Sequence, residues 1–219
     1  MLTTKLFSIS KLAAEAERYK TFLSTQEIEK SQRMLDQEKG LYYITCRGKL
    51  RELLSRVLDK EPEHIIFSYN KYGKPYLEGS SLFFNCSHSR DAFAVCLSDE
   101  FNIGVDIEFI NLQRNIGRLT MKVFSPEETL LYNRYKSSEE KSMYFYKLWT
   151  IKEAITKEHG TGIIASLNTI SPHSKTTKKN SQYVWNDLYI HHKNIDGYSL
   201  ALASKDQRPN QEFFDLTFL

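Results

Sequence analysis

The sequence predicts an α+β protein built as two similar α/β lobes that meet at a cleft. Three observations carry that expectation. The 219 residues suffice for one large domain or two lobes of about 100 residues each. Each half reads as helices followed by strands. The stretch Asp91-Ala92-Phe93-Ala94-Val95-Cys96-Leu97-Ser98 is echoed by Asp196-Gly197-Tyr198-Ser199-Leu200-Ala201-Leu202-Ala203-Ser204, as if one type of strand closed each half. The boundary then falls near residues 104 to 112, dividing the chain into an N-terminal lobe, 1–104, and a C-terminal lobe, 105–219.

The elements follow in order. From Leu12 to Gly40 the chain is dense in Glu, Lys, Arg and Gln with spaced apolar residues, and Ser24 precedes Glu27 as a capping box does, which gives two short helices. Between Leu41 and Asp59 the positions Leu50, Leu53, Leu54, Val57 and Leu58 recur at helical spacing, with Pro62 just beyond, so this helix faces the core. Arg47 and Arg51 lie one turn apart near it, either as a solvated basic edge or as an anion site. Ile65 to Tyr69 reads as a short strand, Asn70 to Pro75 as a turn, and Leu82-Phe83-Phe84 and Asp91 to Ser98 as a strand pair, with a further strand from Asn102 to Ile110. Ser125-Pro126-Glu127-Glu128 starts a helix, and a long helix runs from about Glu139 to Glu158, stopped by Gly160. Ser171 to Asn180, polar and Lys-rich, reads as a surface loop, and Tyr183 to His191 and Tyr198 to Ala203 as strands.

Composition excludes several classes. Hydrophobic residues at 41% with only nine Gly and five Pro leave no room for a disordered or collagen-like chain. Thirty Lys and Arg against 27 Asp and Glu are too slight an excess for a dedicated nucleic-acid or membrane surface, so an anionic partner must be held by a local cluster. The three cysteines, Cys46, Cys86 and Cys96, show no C-x-x-C spacing and indicate neither a disulfide framework nor a zinc site. With no signal-peptide pattern and no apolar run of about 18 residues, a cytoplasmic protein is expected.

Three constellations carry chemistry. In Gly104-Val105-Asp106-Ile107-Glu108, strand alternation puts Asp106 and Glu108 on one face and Val105, Ile107 and Phe109 on the other. Two adjacent carboxylates need a proton, a basic neighbour or a hard cation such as Mg2+; an exposed acidic strand end is the plainer alternative. In the long helix, Trp149, Glu153 and Lys157 stack on one face, apart from the apolar stripe of Ile151 and Ile155. They are a surface i, i+4 pair, or a carboxylate and an ammonium serving as metal ligand or base and as phosphate clamp. Lys74-Pro75 and Ser87-His88-Ser89 offer ammonium, hydroxyl and imidazole groups fit to hold a phosphate, or else a turn capped by its own side chains. Ser87 and His88 face opposite ways on a strand and so are no nucleophile–base pair.

The order of these motifs is distinctive: K-P (Lys74-Pro75), N-x-S-H-S (Asn85 to Ser89), G-V-D-I-E (Gly104 to Glu108), F-S-x-x-E (Phe124, Ser125, Glu128) and W-x-x-K-E-A with a following K (Trp149 to Lys157). Together they resemble the two-lobed, surfactin-synthetase type of 4′-phosphopantetheinyl transferase, from about Lys71 to Gly162. The resemblance implies two α/β lobes related by pseudo-two-fold symmetry, with the active site between them. It implies a holo-acyl-carrier-protein-synthase type of enzyme that moves the phosphopantetheine arm of coenzyme A onto a serine of an apo acyl or peptidyl carrier protein, releasing adenosine 3′,5′-bisphosphate. It implies Mg2+, with Mn2+ as a substitute, on Asp106, Glu108 and Glu153. Lys157 would contact the phosphates and stabilise the leaving group, and Lys74, Ser87 and His88 would hold the nucleotide half. Glu153, or a metal-bound water that it orients, would be the base. Where the family usually has an early basic residue for the 3′-phosphate and adenine, this chain has Tyr42-Tyr43, which passes the role to Arg47, or to Lys30 and Arg33. Within the family this type commonly acts as a monomer. Two other readings stand beside it: a non-catalytic carrier- or coenzyme A-binding module, and a metal-dependent phosphodiesterase or pyrophosphatase.

Overall fold

The computed structural model describes residues 2–162, 167–177, 180–206 and 214–215. The chain opens with β1 (Leu2–Ser8), α1 (Ile9–Ala13), α2 (Ala16–Thr21), α3 (Thr25–Gln32) and the long α4 (Gln37–Leu58). After a 3-10 turn at Pro62–His64 come β2 (Ser68–Tyr69), β3 (Pro75–Tyr76), β4 (Phe83–Ser89), β5 (Ala92–Ser98) and β6 (Ile103–Phe109). Then follow α5 (Gly117–Val123), α6 (Pro126–Arg134) and α7 (Ser138–His159). The chain continues through β7 (His173–Thr177), β8 (Asn180–Trp185), β9 (Leu188–Ile195), β10 (Tyr198–Ser204) and β11 (Phe214–Asp215).

Local chemistry sets the helix ends. Ser24, Ser125 and Ser137 each close a capping box with the glutamate three residues on, satisfying backbone N–H groups that the first turn leaves without helical partners. The α7 helix stops at Gly160, whose φ of 66° is the left-handed conformation that favours glycine.

The strands form a four-stranded sheet in the order β11-β1-β5-β4, a five-stranded sheet in the order β6-β10-β9-β8-β7, and the small pair β2-β3. Helix α4 packs with Phe7, Tyr19, Leu50, Leu54, Phe84 and Phe93 into one core. Helix α7 packs over β6, β9 and β10, burying Phe145, Ile151 and Ile155. Between the two sheets lies a third cluster, in which Leu6, Ala94 and Cys96 meet Val105, Ile107 and Leu202. The alternation expected for β6 therefore holds: Val105 and Ile107 face this cluster, while Gly104 faces α7.

The structure differs from the sequence reading in several places. The N-terminal residues form β1, hydrogen-bonded between β11 and β5, although its polar Thr3, Thr4 and Lys5 give no strand signal. The segment read as a loop from Ser171 to Asn180 holds β7 and the start of β8, a hairpin at the edge of the five-stranded sheet, where backbone pairing rather than apolar alternation makes the strand. The single strand read from Tyr183 to His191 is broken by a turn at Asn186, where φ is 54°. Arg51 is no solvated edge either. It is 3% exposed, pairs with Glu27 at 2.8 Å and donates to Pro62 O and Ile65 O.

Gly104 lets α7 lie directly on β6. A Cβ there would overlap the carbonyl oxygen of Ala154 and the amide nitrogen of Glu158, both helix backbone that cannot turn aside. Gly104→Ala is therefore expected to destabilise the protein by about 2–3 kcal/mol, read from the midpoint of urea unfolding. A midpoint unchanged from the parent would mean that the helix has room to recede.

Candidate active site

Strands β4 and β6 run side by side at the meeting of the two sheets, joined by side chains. Asn85, Ser87 and Ser89, at alternate positions of β4, all turn toward β6. Asn85 Oδ1 accepts from Val105 N (2.9 Å), Ser87 Oγ donates to Asp106 Oδ1 (2.9 Å), and Ser89 Oγ donates to Glu108 Oε2 (2.8 Å). The N-x-S-H-S motif is thus a polar seam. His88, between the two serines, points the other way and is exposed.

Asp106, Glu108, Glu153, Lys157, Ser87 and His88 all line one cavity of about 350 Å³, together with Cys86 and Trp149. The one-face stacking of Trp149, Glu153 and Lys157 thus brings all three to the carboxylate pair on β6. The plainer surface-pair reading of Glu153 and Lys157 does not describe this site: Lys157 Nζ reaches across to Asp106 Oδ1 (2.7 Å) and donates to Ser87 Oγ (2.8 Å).

Asp106 and Glu153 are 4% and 7% exposed, and Asp106 Oδ2 and Glu153 Oε1 are buried without a hydrogen-bond partner. Burial, and then the charges of Asp106 and Glu108, push the Glu153 carboxyl up to about 7 despite Lys157, so near neutrality it can either hold or release a proton. Burial also raises Glu108, with Ser89 opposing and Asp106 adding. Buried carboxylate oxygens left without a donor suit a hard divalent cation, which accepts such oxygens directly. As the side chains stand, however, no three His, Cys, Asp or Glu residues among those described are arranged around a common ion; Lys157 is the cation present at Asp106.

Two other residues expected at the site lie apart from this cavity. Lys74 borders an adjoining cavity of about 270 Å³, which shares Glu153 and Lys157, but its ammonium is engaged inside the protein. It donates to Asn102 Oδ1 (2.7 Å), Glu158 O (2.9 Å) and Ile103 O (3.1 Å), which accounts for all three of its protons. Burial pulls this amine down to about 8. With Asn70, which donates to Gly160 O (2.8 Å), Lys74 ties down the carboxyl end of α7. Arg47 borders a third cavity, of about 810 Å³, with Tyr42, Tyr43 and His88. It pairs with Glu27 at 2.7 Å and lies 4.3 Å over the Phe67 ring.

The sequence reading gave no role to Lys152, which neighbours Glu153. It is 0% exposed, pairs with Glu128 of the F-S-x-x-E segment and donates to Val123 O (2.6 Å). A lysine whose neighbours on its helix face, at i−4 and i+3, are Leu148 and Ile155 was the available signal, since a buried ammonium requires a partner.

Residues 102–203, which hold the β6 carboxylates and all of α7, match the model of the 4′-phosphopantetheinyl transferase superfamily. The chain is 40% identical over 155 residues to the 4′-phosphopantetheinyl transferase AcpT of Escherichia coli O157:H7, covering 70% of this chain and 72% of that one. To the 4′-phosphopantetheinyl transferase Sfp of Bacillus subtilis it is 32% identical over 158 residues, 72% and 69% of the two chains. It also matches HetI of Nostoc, a 4′-phosphopantetheinyl transferase, at 33% identity over 145 residues, or 64% of this chain. The matches cover 66% of a Synechocystis relative and 61% of HetI, in each case less than two thirds of the relative's length. Among the described residues no helix is long and apolar enough to cross a membrane. With a mixed α/β fold, the family motifs in order, and identities of 30% or more extending over two thirds of the relatives AcpT and Sfp, this chain belongs to the 4′-phosphopantetheinyl transferase superfamily.

Proposed function

We propose that this protein transfers the 4′-phosphopantetheine group of coenzyme A to a serine hydroxyl of an apo acyl or peptidyl carrier protein, as a holo-acyl-carrier-protein-synthase type of enzyme. The observation that carries the reading is the cavity at which Asp106, Glu108, Glu153 and Lys157 converge, with two buried carboxylate oxygens lacking a partner. Asp106, Glu108 and Glu153 are the residues to hold Mg2+, which would neutralise charge on the pyrophosphate and on the departing 3′,5′-bisphosphate. Glu153, or a water that it orients, takes the proton that the carrier serine gives up as its oxygen attacks phosphorus. Lys157 faces the phosphates from the same wall. Ser87 keeps Asp106 and Lys157 in place, and His88, on the outward side of β4, lies between this cavity and the larger one. That larger cavity is lined by the cations Lys39, Arg47 and Arg90, of which Arg47, beside Tyr42 and Tyr43, is assigned to the nucleotide end. Lys74, whose protons are all engaged, acts on the reaction by fixing the end of α7.

The same reading takes residues 1–104 and 105–219 as lobes related by a pseudo-two-fold axis, each with a 22-residue helix, α4 or α7, against its sheet. It also takes the protein as a cytoplasmic monomer. The test is intact-mass spectrometry of apo carrier proteins incubated with this protein, coenzyme A and Mg2+, with and without a chelator. Gain of one phosphopantetheinyl group on the carrier, abolished by the chelator, is expected. Coenzyme A consumed in the absence of any carrier would instead identify a hydrolase, and binding of coenzyme A without either reaction a binding module.

A further inference from the structure

We infer that Lys157 is the internal counter-ion of the metal-free carboxylate site, and that a divalent cation enters by displacing its ammonium from Asp106. The inference rests on the metal role proposed above. Three carboxylates, Asp106, Glu108 and Glu153, border the cavity against the single ammonium of Lys157, and that ammonium sits at 2.7 Å from Asp106 Oδ1. Asp106 is a ligand that a cation needs, and one of its two oxygens is already taken by a charge of the same sign. Both cannot be held at full strength, since like charges a few ångströms apart in a partly buried site repel strongly.

Lys157 is built to yield. Its side chain is 29% exposed, against 6% for Asp106, and the four-carbon stem of a lysine lets its point charge move where a guanidinium fork would be fixed. It also borders the adjoining cavity of about 270 Å³, so there is space for the ammonium to occupy once it leaves Asp106. Asp106 Oδ2 and Glu153 Oε1, buried and unpartnered, remain for the incoming ion, whose second charge outweighs the single charge that it displaces. A released ammonium beside a bound cation presents two positive groups to a phosphate at once. Metal and phosphoanion therefore assist one another's binding, and by linkage each does so to the same degree.

The test uses the full-length protein without coenzyme A or carrier. Mn2+ binding is measured by electron paramagnetic resonance on wild type, Lys157→Met and Glu153→Gln. Lys157→Met, which removes the competing charge and keeps the stem, is expected to bind Mn2+ at least about tenfold tighter, while Glu153→Gln binds it more weakly. In wild type, acetic anhydride labelling of Lys157, followed by peptide mass spectrometry, is expected to rise several-fold when Mn2+ is added. Equal or weaker Mn2+ binding by a folded Lys157→Met overturns the inference. Should that variant fail to fold, labelling of wild-type Lys157 that stays level or falls with Mn2+ does so. The proposed transfer is judged separately by the carrier mass gain: transfer without tighter metal binding by Lys157→Met removes only this inference, and tighter binding without transfer removes only the function.

Discussion

Glu153→Gln is expected to lower turnover by about 10²–10³-fold, the usual loss when one preorganised charge is removed from a site that stabilises developing charge, while leaving the fold intact. Asp106→Asn should do the same. The two differ in mechanism. Glutamine can still coordinate weakly through its oxygen but can take no proton from the carrier serine, so the loss belongs in kcat. Asparagine at 106 loses both the ligand charge and the ion pair with Lys157, so KM for coenzyme A should rise as well. Stability gives an independent reading. The carboxyl of Glu153 is raised in the folded chain to about 7, so its ionised form is disfavoured there. In the metal-free protein, stability contributed by this group is present below its unfolded pKa and is lost as pH rises through about 7. The neutral amide of Glu153→Gln avoids that loss, and the variant should melt no lower than wild type at pH 8. Near-normal turnover in either variant would take that residue out of the proposed site.

Glu128→Ala should be the most destabilising of the simple truncations, by about 3–5 kcal/mol, because it leaves a fully buried ammonium with no compensating charge. Lys152 is 0% exposed; its remaining partner would be Val123 O. Burial already pulls this amine below its ordinary value while Glu128 opposes the shift. The truncation also removes the acceptor for Ser125 N (2.8 Å), which opens the capping box of α6. Glu128→Gln separates the two effects, since an amide oxygen can still accept from Ser125 N but carries no charge. Replacing both partners, Glu128→Gln with Lys152→Met, should recover much of the loss, as removing a buried pair together is often close to neutral. Urea unfolding of the four proteins measures this. A double variant as unstable as Glu128→Ala would show that packing, rather than the unpaired charge, is at stake.

The sequence by itself determined whatever has a local period or a local cap. The i, i+3, i+4 spacing gave α4, with Leu50, Leu53 and Leu54 buried as expected and Val57, near the helix end, exposed, and the stop signal at Gly160 gave α7. Alternation placed Asp106 and Glu108 on one side of β6, and 100° per residue placed Trp149, Glu153 and Lys157 on one face of α7, so that four of the expected site residues, Asp106, Glu108, Glu153 and Lys157, could line one cavity. The serine-to-glutamate spacing of the capping boxes was legible for the same reason.

Only the tertiary structure decided who partners whom. Lys157 meets Asp106 across 51 residues of chain and Ser87 across 70; Lys74 reaches Glu158 O across 84. No periodicity encodes such separations, so a helix-face ammonium read as a phosphate clamp is found on a carboxylate, and a lysine read as a ligand is found securing a helix end. Strand β1 and the β7–β8 hairpin escaped the reading for a related cause: their polar residues lack the apolar alternation that marks a strand, and pairing with a neighbour in space makes them one. Side-chain periodicity fixes the face on which a group stands; the packing of β6 against β4 and α7, permitted by Gly104, fixes what it touches.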